Sequence, residues 1–345
     1  MASSSLPPFA GSAMQLFIKS QFRTECIPPP SSTTFSGKTA VVTGSNCGIG
    51  LEACRVLLEH QLSHIILGVR SPDKGQDAAA PLRKAHPNAK IEVWQLDMLS
   101  YESVRAFAKG CSALPRLDIA ILNAGIGAMD FVLNQSTGHE EMLQVNYLST
   151  ALLSILLVPV LKSKPPQSVP GRLLLVASGL ALLSKFPNRN ADPLIPTFND
   201  GNGWNMAAAA ERYNVTKTMV LMLVQKLGEV VSPNEVIITA VDPGFTGGSN
   251  LNRSLKGLAQ LLTRLIKKLS ARSLREAAWT YIDAITREGT AVHGSFVMDW
   301  EIHPFHEMMY GTEGRQTAER LWGETLNELE FAGVKDIILS TGKTG

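Results

Sequence analysis

Six short apolar runs (Thr39–Thr43, Ile65–Val69, Ile91–Leu96, Leu117–Leu122, Arg172–Val176 and Glu235–Val241) alternate with helix-patterned stretches. That alternation limits the chain to one kind of architecture. Strands joined through helices need crossover connections, and crossovers make neighbouring strands parallel with helices on both faces of the sheet. Helices are predicted over about Leu51–Glu59, Asp73–Ala85, Tyr101–Lys109, Gly138–Leu161 and Glu211–Val231. Ligands of such sheets bind beyond the carboxyl ends of the strands. The unusual residues of this chain, Gly44, Arg70, Asp97, Asn123, Ser178 and Pro243, all fall at such ends.

The first strand runs into Gly44-Ser45-Asn46-Cys47-Gly48-Ile49-Gly50 and then a helix. Glycines let the backbone turn sharply and approach a bulky anion, while the helix start offers free N–H groups and the positive end of its dipole. The pattern is G-x-x-x-G-x-G rather than the commoner G-x-G-x-x-G. Taken with the strand-end residues, it predicts a Rossmann-like, doubly wound α/β sheet in a single domain over residues 37–300. A leading extension (1–36) and a helical tail (301–345) flank it, the tail expected to cover the substrate side.

Bulk properties exclude some functions. With 32 basic and 30 acidic side chains the net charge is +2, which leaves no dense basic field for nucleic acid. Cys26, Cys47, Cys54 and Cys111 are scattered without C-x-x-C spacing, a pattern of reduced, cytoplasmic proteins. The sequon at Asn214 falls inside a predicted active-site helix, where a glycan would be ruinous. The longest apolar run, Ala151–Leu161, is too short to span a bilayer and contains Pro159. The Ser/Pro-rich start holds one short amphipathic piece, about Phe9–Phe22, without the continuous apolar middle of a signal peptide.

The ordered set Thr43-Gly44-x-x-x-Gly48-Ile49-Gly50, Asp97, Asn123-Ala124-Gly125, Asn146, Ser178, Tyr213-x-x-x-Lys217 and Pro243-Gly244 resembles the short-chain dehydrogenase/reductase family from about Gly37 to Val297. Leu67-Gly68-Val69-Arg70, the Ser178-to-Tyr213 interval and the tail around Gly314–Leu329 are similar to its retinol-dehydrogenase-like branch, notably fungal secondary-metabolite members.

Tyr213 and Lys217 lie four residues apart and so project from one helix face. A free tyrosine has a pKa of about 10 and is a poor proton-transfer group at neutral pH. A nearby ammonium is expected to lower it and prime the phenol for exchange with a carbonyl or alcohol oxygen. Ser178 ends an apolar strand, where its hydroxyl can polarise a substrate oxygen. Asn146 sits mid-helix, where asparagine has little local reason to be. The resemblance implies that Asn146 positions a water linking Lys217 to solvent and that Lys217, beside Tyr213, also holds the nicotinamide ribose.

The cofactor is expected to be NADP(H). Sites that bind NAD place an acid about 20 residues beyond the glycines to accept from the ribose 2′-hydroxyl. Here Arg70 stands twenty beyond Gly50, no acid occurs from Ile65 to Ser71, and Lys74 can assist. A guanidinium suits a 2′-phosphate. By resemblance, Asp97 accepts from the adenine amine with Met98 beside it. Asn123, Ala124 and Gly125 flank the adenosine ribose, and Pro243, Gly244 and Thr246 border the nicotinamide. The family's usual hydroxyl five residues after the proline is replaced by Gly248, between Thr246 and Ser249.

The 34 residues between Ser178 and Tyr213 include an insertion, Pro187–Ala210, expected to wall the substrate pocket with Trp204 and Met206. Leu180, Leu182, Leu183 and Phe245 complete an apolar lining. His303 and His306 have a His-x-x-His spacing, but Pro304 opposes a helical metal site, so a pocket-lining loop is expected there. Arg264, Lys267, Lys268, Arg272 and Arg275 are expected on a solvated helix face near the entrance, the alternative being contact with an anionic membrane or a phosphate-bearing substrate. The function read from these residues is reduction of a ketone or aldehyde, or oxidation of the matching alcohol, of an apolar medium-sized molecule. The alternatives are a redox-neutral epimerase or dehydratase and a non-catalytic NADP-binding scaffold. By resemblance the long helices 138–161 and 211–231 are expected to pair two copies.

Overall fold

A computed structural model describes residues 1–9, 11–163, 169–247 and 271–341. In chain order its main elements are α1 (Ala13–Ile18), β1 (Thr39–Thr43), α2 (Gly48–Glu59), β2 (His64–Val69), α3 (Pro72–Ala85), β3 (Lys90–Gln95), α4 (Tyr101–Ala113) and β4 (Ile119–Leu122). There follow α5 (Glu141–Ser163), β5 (Gly171–Val176), α6 (Met206–Val230), β6 (Val236–Val241), α7 (Leu274–Thr286), β7 (Ser295–Met298), β8 (Glu301–His303), α8 (Thr312–Glu328) and α9 (Val334–Thr341). The eight strands form one sheet in the order β3-β2-β1-β4-β5-β6-β7-β8. Only the β7–β8 pairing is antiparallel. The doubly wound parallel sheet read from the sequence is therefore present, with its winding reversing between β1 and β4, where ligands of open sheets bind.

Side chains alternate across the pleat, so each strand feeds two cores. Val41, Ile66 and Ala120 face α4, α5 and α6, while Ala40, Val42, Ile65, Leu67, Ile119 and Ile121 face α2, α3 and α7. Burial at about 1.5–3 kcal/mol per large aliphatic side chain outweighs exposed ion pairs worth about 0–1 kcal/mol each. The parallel layers, not the surface charges, hold the sheet.

Helix α5 is apolar all round, because every side of it is covered. By length and hydropathy it is apolar enough to cross a bilayer, which the sequence reading had denied to any segment; its apolar window is 89% buried, so it is the core helix. Helix α8 packs against α6, and α9 against α5. Residues Val215–Val224 of α6 and Ser149–Ile155 of α5 are buried without exception. The two helices expected to pair copies of the chain thus present no free face over those stretches.

The tail lies elsewhere than anticipated. The Glu324 carboxylate of α8 accepts from the N–H groups of Leu194 and Ile195, each at 2.7 Å, fastening the 187–210 insertion to the tail. Among the described residues, none from 301–341 borders the large cavity at the strand ends.

Candidate functional site

That cavity, about 880 Å3, runs along the carboxyl ends of β1, β2, β4, β5 and β6. It is at the upper end of the usual size for small-molecule and cofactor sites, about 300–1,000 Å3.

The glycine turn forms its floor. Gly44 (φ +65°) and Gly48 (φ +61°) take the left-handed conformation that favours glycine. Gly50 is required for a different reason: a Cβ there would lie 2.5 Å from Asn123 Nδ2 and 2.7 Å from the Gly44 carbonyl. Helix α2 starts with no side-chain cap and no acid in its first turn, and Asn46, Cys47, Gly48 and Ile49 border the cavity. Asn123 straps the turn together. Its Nδ2 donates to the carbonyls of Thr43 (2.9 Å) and Gly44 (3.2 Å), and its Oδ1 accepts from the Tyr281 hydroxyl at 2.9 Å. The Ala124 N–H donates to Thr43 Oγ1. Asn123 borders the cavity as expected, but its amide is committed to the protein.

At the end of β2, Arg70 and Lys74 are exposed and border the cavity, with no ion-pair partner among the described residues. Asp97 and Met98 follow β3. The Asp97 carboxylate caps its own turn by accepting from the Leu99 N–H at 3.0 Å, and the buried Met98 carbonyl accepts from Ser149.

Three strand positions from β2, roughly 14 Å at the usual spacing, Ser178, Tyr213 and Lys217 meet at the end of β5. Ser178 leaves β5 in extended conformation and its Oγ accepts from the Leu180 N–H at 3.2 Å. Tyr213 and Lys217 share one face of α6. Lys217 Nζ donates to the Val176 carbonyl at 2.8 Å and lies 5.8 Å from the Tyr213 ring centroid. Gly125 makes room: a Cβ there would come within 3.4 Å of Lys217 Nζ and 3.3 Å of Asn146 Oδ1. Asn146 lies in a π-helical turn, Gln144–Leu148, inside α5, a local widening common at functional sites. Its Oδ1 accepts from the Ile126 N–H, and its Nδ2 donates to the Ile126 carbonyl and to Thr216 Oγ1. It stands behind the cavity wall rather than in it, as does Gly50.

Asp242 was overlooked as a functional residue. It is 4% exposed, borders the cavity, and takes hydrogen bonds from the backbone of Gly179 and Gly244. Burial raises its pKa. Its negative field opposes ionisation of Tyr213, which burial already pushes above the normal tyrosine value, while a hydrogen bond with Ser178 pulls the other way. The expected lowering of the phenol is therefore reversed in the chain itself, because burial, with the field of Asp242 added to it, outweighs the hydrogen bond with Ser178. Burial instead brings Lys217 down to about 8, against the upward pull of Asp242. The buried Asp-Pro-Gly at a strand end was the available signal.

Pro243, Gly244 and Thr246 border the same end, and Thr246 Oγ1 donates to the Gly244 carbonyl. Gly248 and Ser249 lie outside the described residues, as do Arg264, Lys267 and Lys268. Arg272 is no solvated charge but is ion-paired to Asp299 in the interior, and Arg275 pairs with Glu59. Several expected wall residues are elsewhere. Leu180, Leu183 and Phe245 border the cavity, but Leu182 belongs to the core, Met206 is exposed, and Trp204 donates to the Met129 carbonyl, supporting the wall from outside. His303 and His306 do not border it either; they donate to the carbonyls of Pro304 and Ser184. In their place the leading segment supplies Ala13, Leu16, Phe17, Ser20 and Gln21.

Fold and site define a dehydrogenase-like α/β protein, and comparison gives the family. The model of the family described as short chain dehydrogenase matches residues 38–189. The short chain dehydrogenase/reductase mfmJ of Annulohypoxylon moriforme is 45% identical over 325 residues, 94% of either chain. The short chain dehydrogenase virL of Hypocrea virens is 41% identical over 322 residues, 93% of either chain. Among solved structures, L-sorbose reductase from Gluconobacter frateurii, complexed with NADPH and L-sorbose, shares the fold with a TM-score of 0.58 at 21% identity, covering 77% of this chain and 96% of that one. The protein belongs to the short-chain dehydrogenase/reductase family of oxidoreductases.

Proposed function

We propose that the protein is an NADP(H)-dependent reductase of a ketone or aldehyde on an apolar, medium-sized metabolite. The observation that carries this reading is one cavity with a glycine cradle in its floor, two cations without an ion-pair partner among the described residues at one end and the Ser178–Tyr213–Lys217 cluster at the other. The cradle fits a dinucleotide pyrophosphate, since Asn46, Cys47, Gly48 and Ile49 border the cavity at the start of α2, which has no side-chain cap and no acid in its first turn. Arg70 and Lys74 favour a 2′-phosphate over a bare hydroxyl. The bound nucleotide would supply the hydride.

The chain's own residues do the rest. Ser178 Oγ, which accepts from the Leu180 N–H and is hydrogen-bonded to Tyr213, turns its proton to the carbonyl oxygen when substrate enters. Tyr213, held protonated at neutral pH by burial and by Asp242, gives its proton to the same oxygen, which suits reduction. The Lys217 ammonium, 5.8 Å from the ring centroid, stabilises the phenolate that remains, and Asn146 holds the Ile126 backbone beside Gly125, against which Lys217 lies. Leu180, Leu183, Phe245 and the leading segment exclude water. Arg70, Lys74, Gly44, Asn46, Cys47, Gly48, Ile49, Asp97, Met98, Asn123, Ala124, Gly125, Pro243, Gly244 and Thr246 are assigned to the nucleotide, and Asn146, Ser178, Tyr213 and Lys217 to the chemistry. Incubation of the protein with NADPH and a panel of aryl and alkyl ketones, followed at the nicotinamide absorbance and by product mass, tests it. Tyr213→Phe should lower turnover by a factor of about 10^3 or more while NADPH affinity stays within about twofold; turnover at the wild-type rate in that variant would defeat the assignment. Product formed without NADPH consumption would instead indicate redox-neutral chemistry.

A further inference from the structure

Ala13, Leu16, Phe17 and Ser20 have the i, i+3, i+4, i+7 spacing of one helix face, and all four border the cavity. Helix α1 begins with a capping box: Gln15 N–H donates to Ser12 Oγ, and Ser12 N–H donates to Gln15 Oε1. The cap fixes where the helix starts and so which residues turn inward. Leu16 is 5% exposed and joins the main core. Phe17 meets the edge of Phe245 at 5.8 Å between ring centroids. Phe245 directly follows Pro243-Gly244, so this face stands at the Tyr213 end of the cavity.

Two anchors hold the segment there. Ser3 Oγ donates to the His303 carbonyl at 2.6 Å and accepts from the Phe296 N–H, and the Tyr310 hydroxyl donates to the Ser3 carbonyl. At the other end Ser20 Oγ donates to Asp299 Oδ1 at 2.7 Å. Arg272 Nη2 donates to that same carboxylate at 2.6 Å and to the Ser20 carbonyl at 3.0 Å. The Arg272 and Asp299 side chains are 4% and 2% exposed. The same guanidinium packs under Gly244, where a Cβ would come within 2.4 Å of Nη1. One buried cation thus locks the leading segment to the Pro243-Gly244 turn.

We propose that Leu16 and Phe17 are substrate-contacting residues that set the size of the apolar carbonyl compound accepted, and that the Ser20–Arg272–Asp299 junction is their positioning device. The proposal rests on the reductase reading above. Discrimination is read as the ratio of kcat/KM for 2-acetonaphthone to that for acetophenone, and independently as the ratio of their calorimetric affinities for protein saturated with NADP+. Phe17→Ala should raise both ratios about tenfold, the scale of a hydrophobic pocket's discrimination. Ser20→Ala should move them in the same direction by less, with NADP+ affinity within about twofold of wild type in both variants. If Phe17→Ala loses NADP+ binding, Phe17→Leu, which keeps an apolar contact with Phe245, is read in its place. Ratios within twofold of wild type in the Phe17 and Leu16→Ala variants would overturn the proposal. Failure of the wild type to oxidise NADPH with either ketone would instead count against the reductase reading, while the calorimetric ratio still decides the wall.

Discussion

Replacing Lys217 with methionine should change how stability depends on pH, by an amount that follows from burial. Lys217 is 5% exposed, and its ammonium donates to the Val176 carbonyl at 2.8 Å. Burial lowers its pKa from 10.5 to about 8. Below the lower value both folded and unfolded chains hold the proton, and the folded chain bears the full desolvation cost. Between the two values the folded chain releases the proton while the unfolded chain keeps it, so stability rises with pH through that window. At about 1.4 kcal/mol per tenfold change in proton affinity, the gain is about 3 kcal/mol. Lys217→Met keeps the apolar stem and removes the titration; the carbonyl it orphans adds a penalty that does not vary with pH. Tyr213 and Tyr281 titrate in both proteins and largely cancel. Urea unfolding without added nucleotide, at about pH 7 and about pH 10.5, gives the quantity needed: wild-type stability minus variant stability should grow by about 3 kcal/mol. A difference that stays constant to about 0.5 kcal/mol would refute the premise that burial governs this lysine.

Three further outcomes are expected. Arg70→Glu should weaken NADPH binding about 10- to 100-fold, the worth of charge-assisted hydrogen bonds, and leave NADH binding within a few-fold; fluorescence titration of both nucleotides reads the ratio. Gly50→Ala should cost about 1–3 kcal/mol and most of the nucleotide affinity, since its Cβ meets Asn123 Nδ2 and the Gly44 carbonyl; unchanged thermal unfolding would contradict the close approach. Light scattering should find a mass near 37.3 kDa, because α8 and α9 occupy the outer sides of α6 and α5; a mass of twice that would require pairing through another surface.

The sheet was legible because its strands are continuous apolar runs, and the glycine cradle because Gly44 and Gly48 take left-handed backbone and Gly50 leaves no room for a Cβ. Where the reading failed, the pattern was too local. The hairpin joining β7 and β8 turns at Asp299-Trp300, both with positive φ. Such two-residue turns usually carry asparagine and glycine, so the sequence lacks the usual mark of a hairpin, and β7 is only four residues long. Arg272 resembled its basic neighbours until Asp299, twenty-seven residues on, was seen beside it. Trp204 and Met206 had the right composition for a pocket wall, but Trp204 packs on Phe131 and donates to the Met129 carbonyl from outside, and Met206 faces solvent. Tyr213 and Lys217 were legible only within the ordered set of motifs, because their spacing alone is common on a helix; the sign of the phenol's shift was not, because it follows from burial in the packed fold, with Asp242 adding to it from the end of another strand.

The strap across the cavity joins residues 292 and 293 positions apart in sequence, Ser3 with Ser295 and Phe296. Both of its anchors lie in the last quarter of the chain, so a growing polypeptide can wind β1 to β6 long before either anchor exists. The Tyr213 end of the cavity is therefore roofed last during synthesis, and until then its apolar inner face stands open to whatever meets the nascent protein.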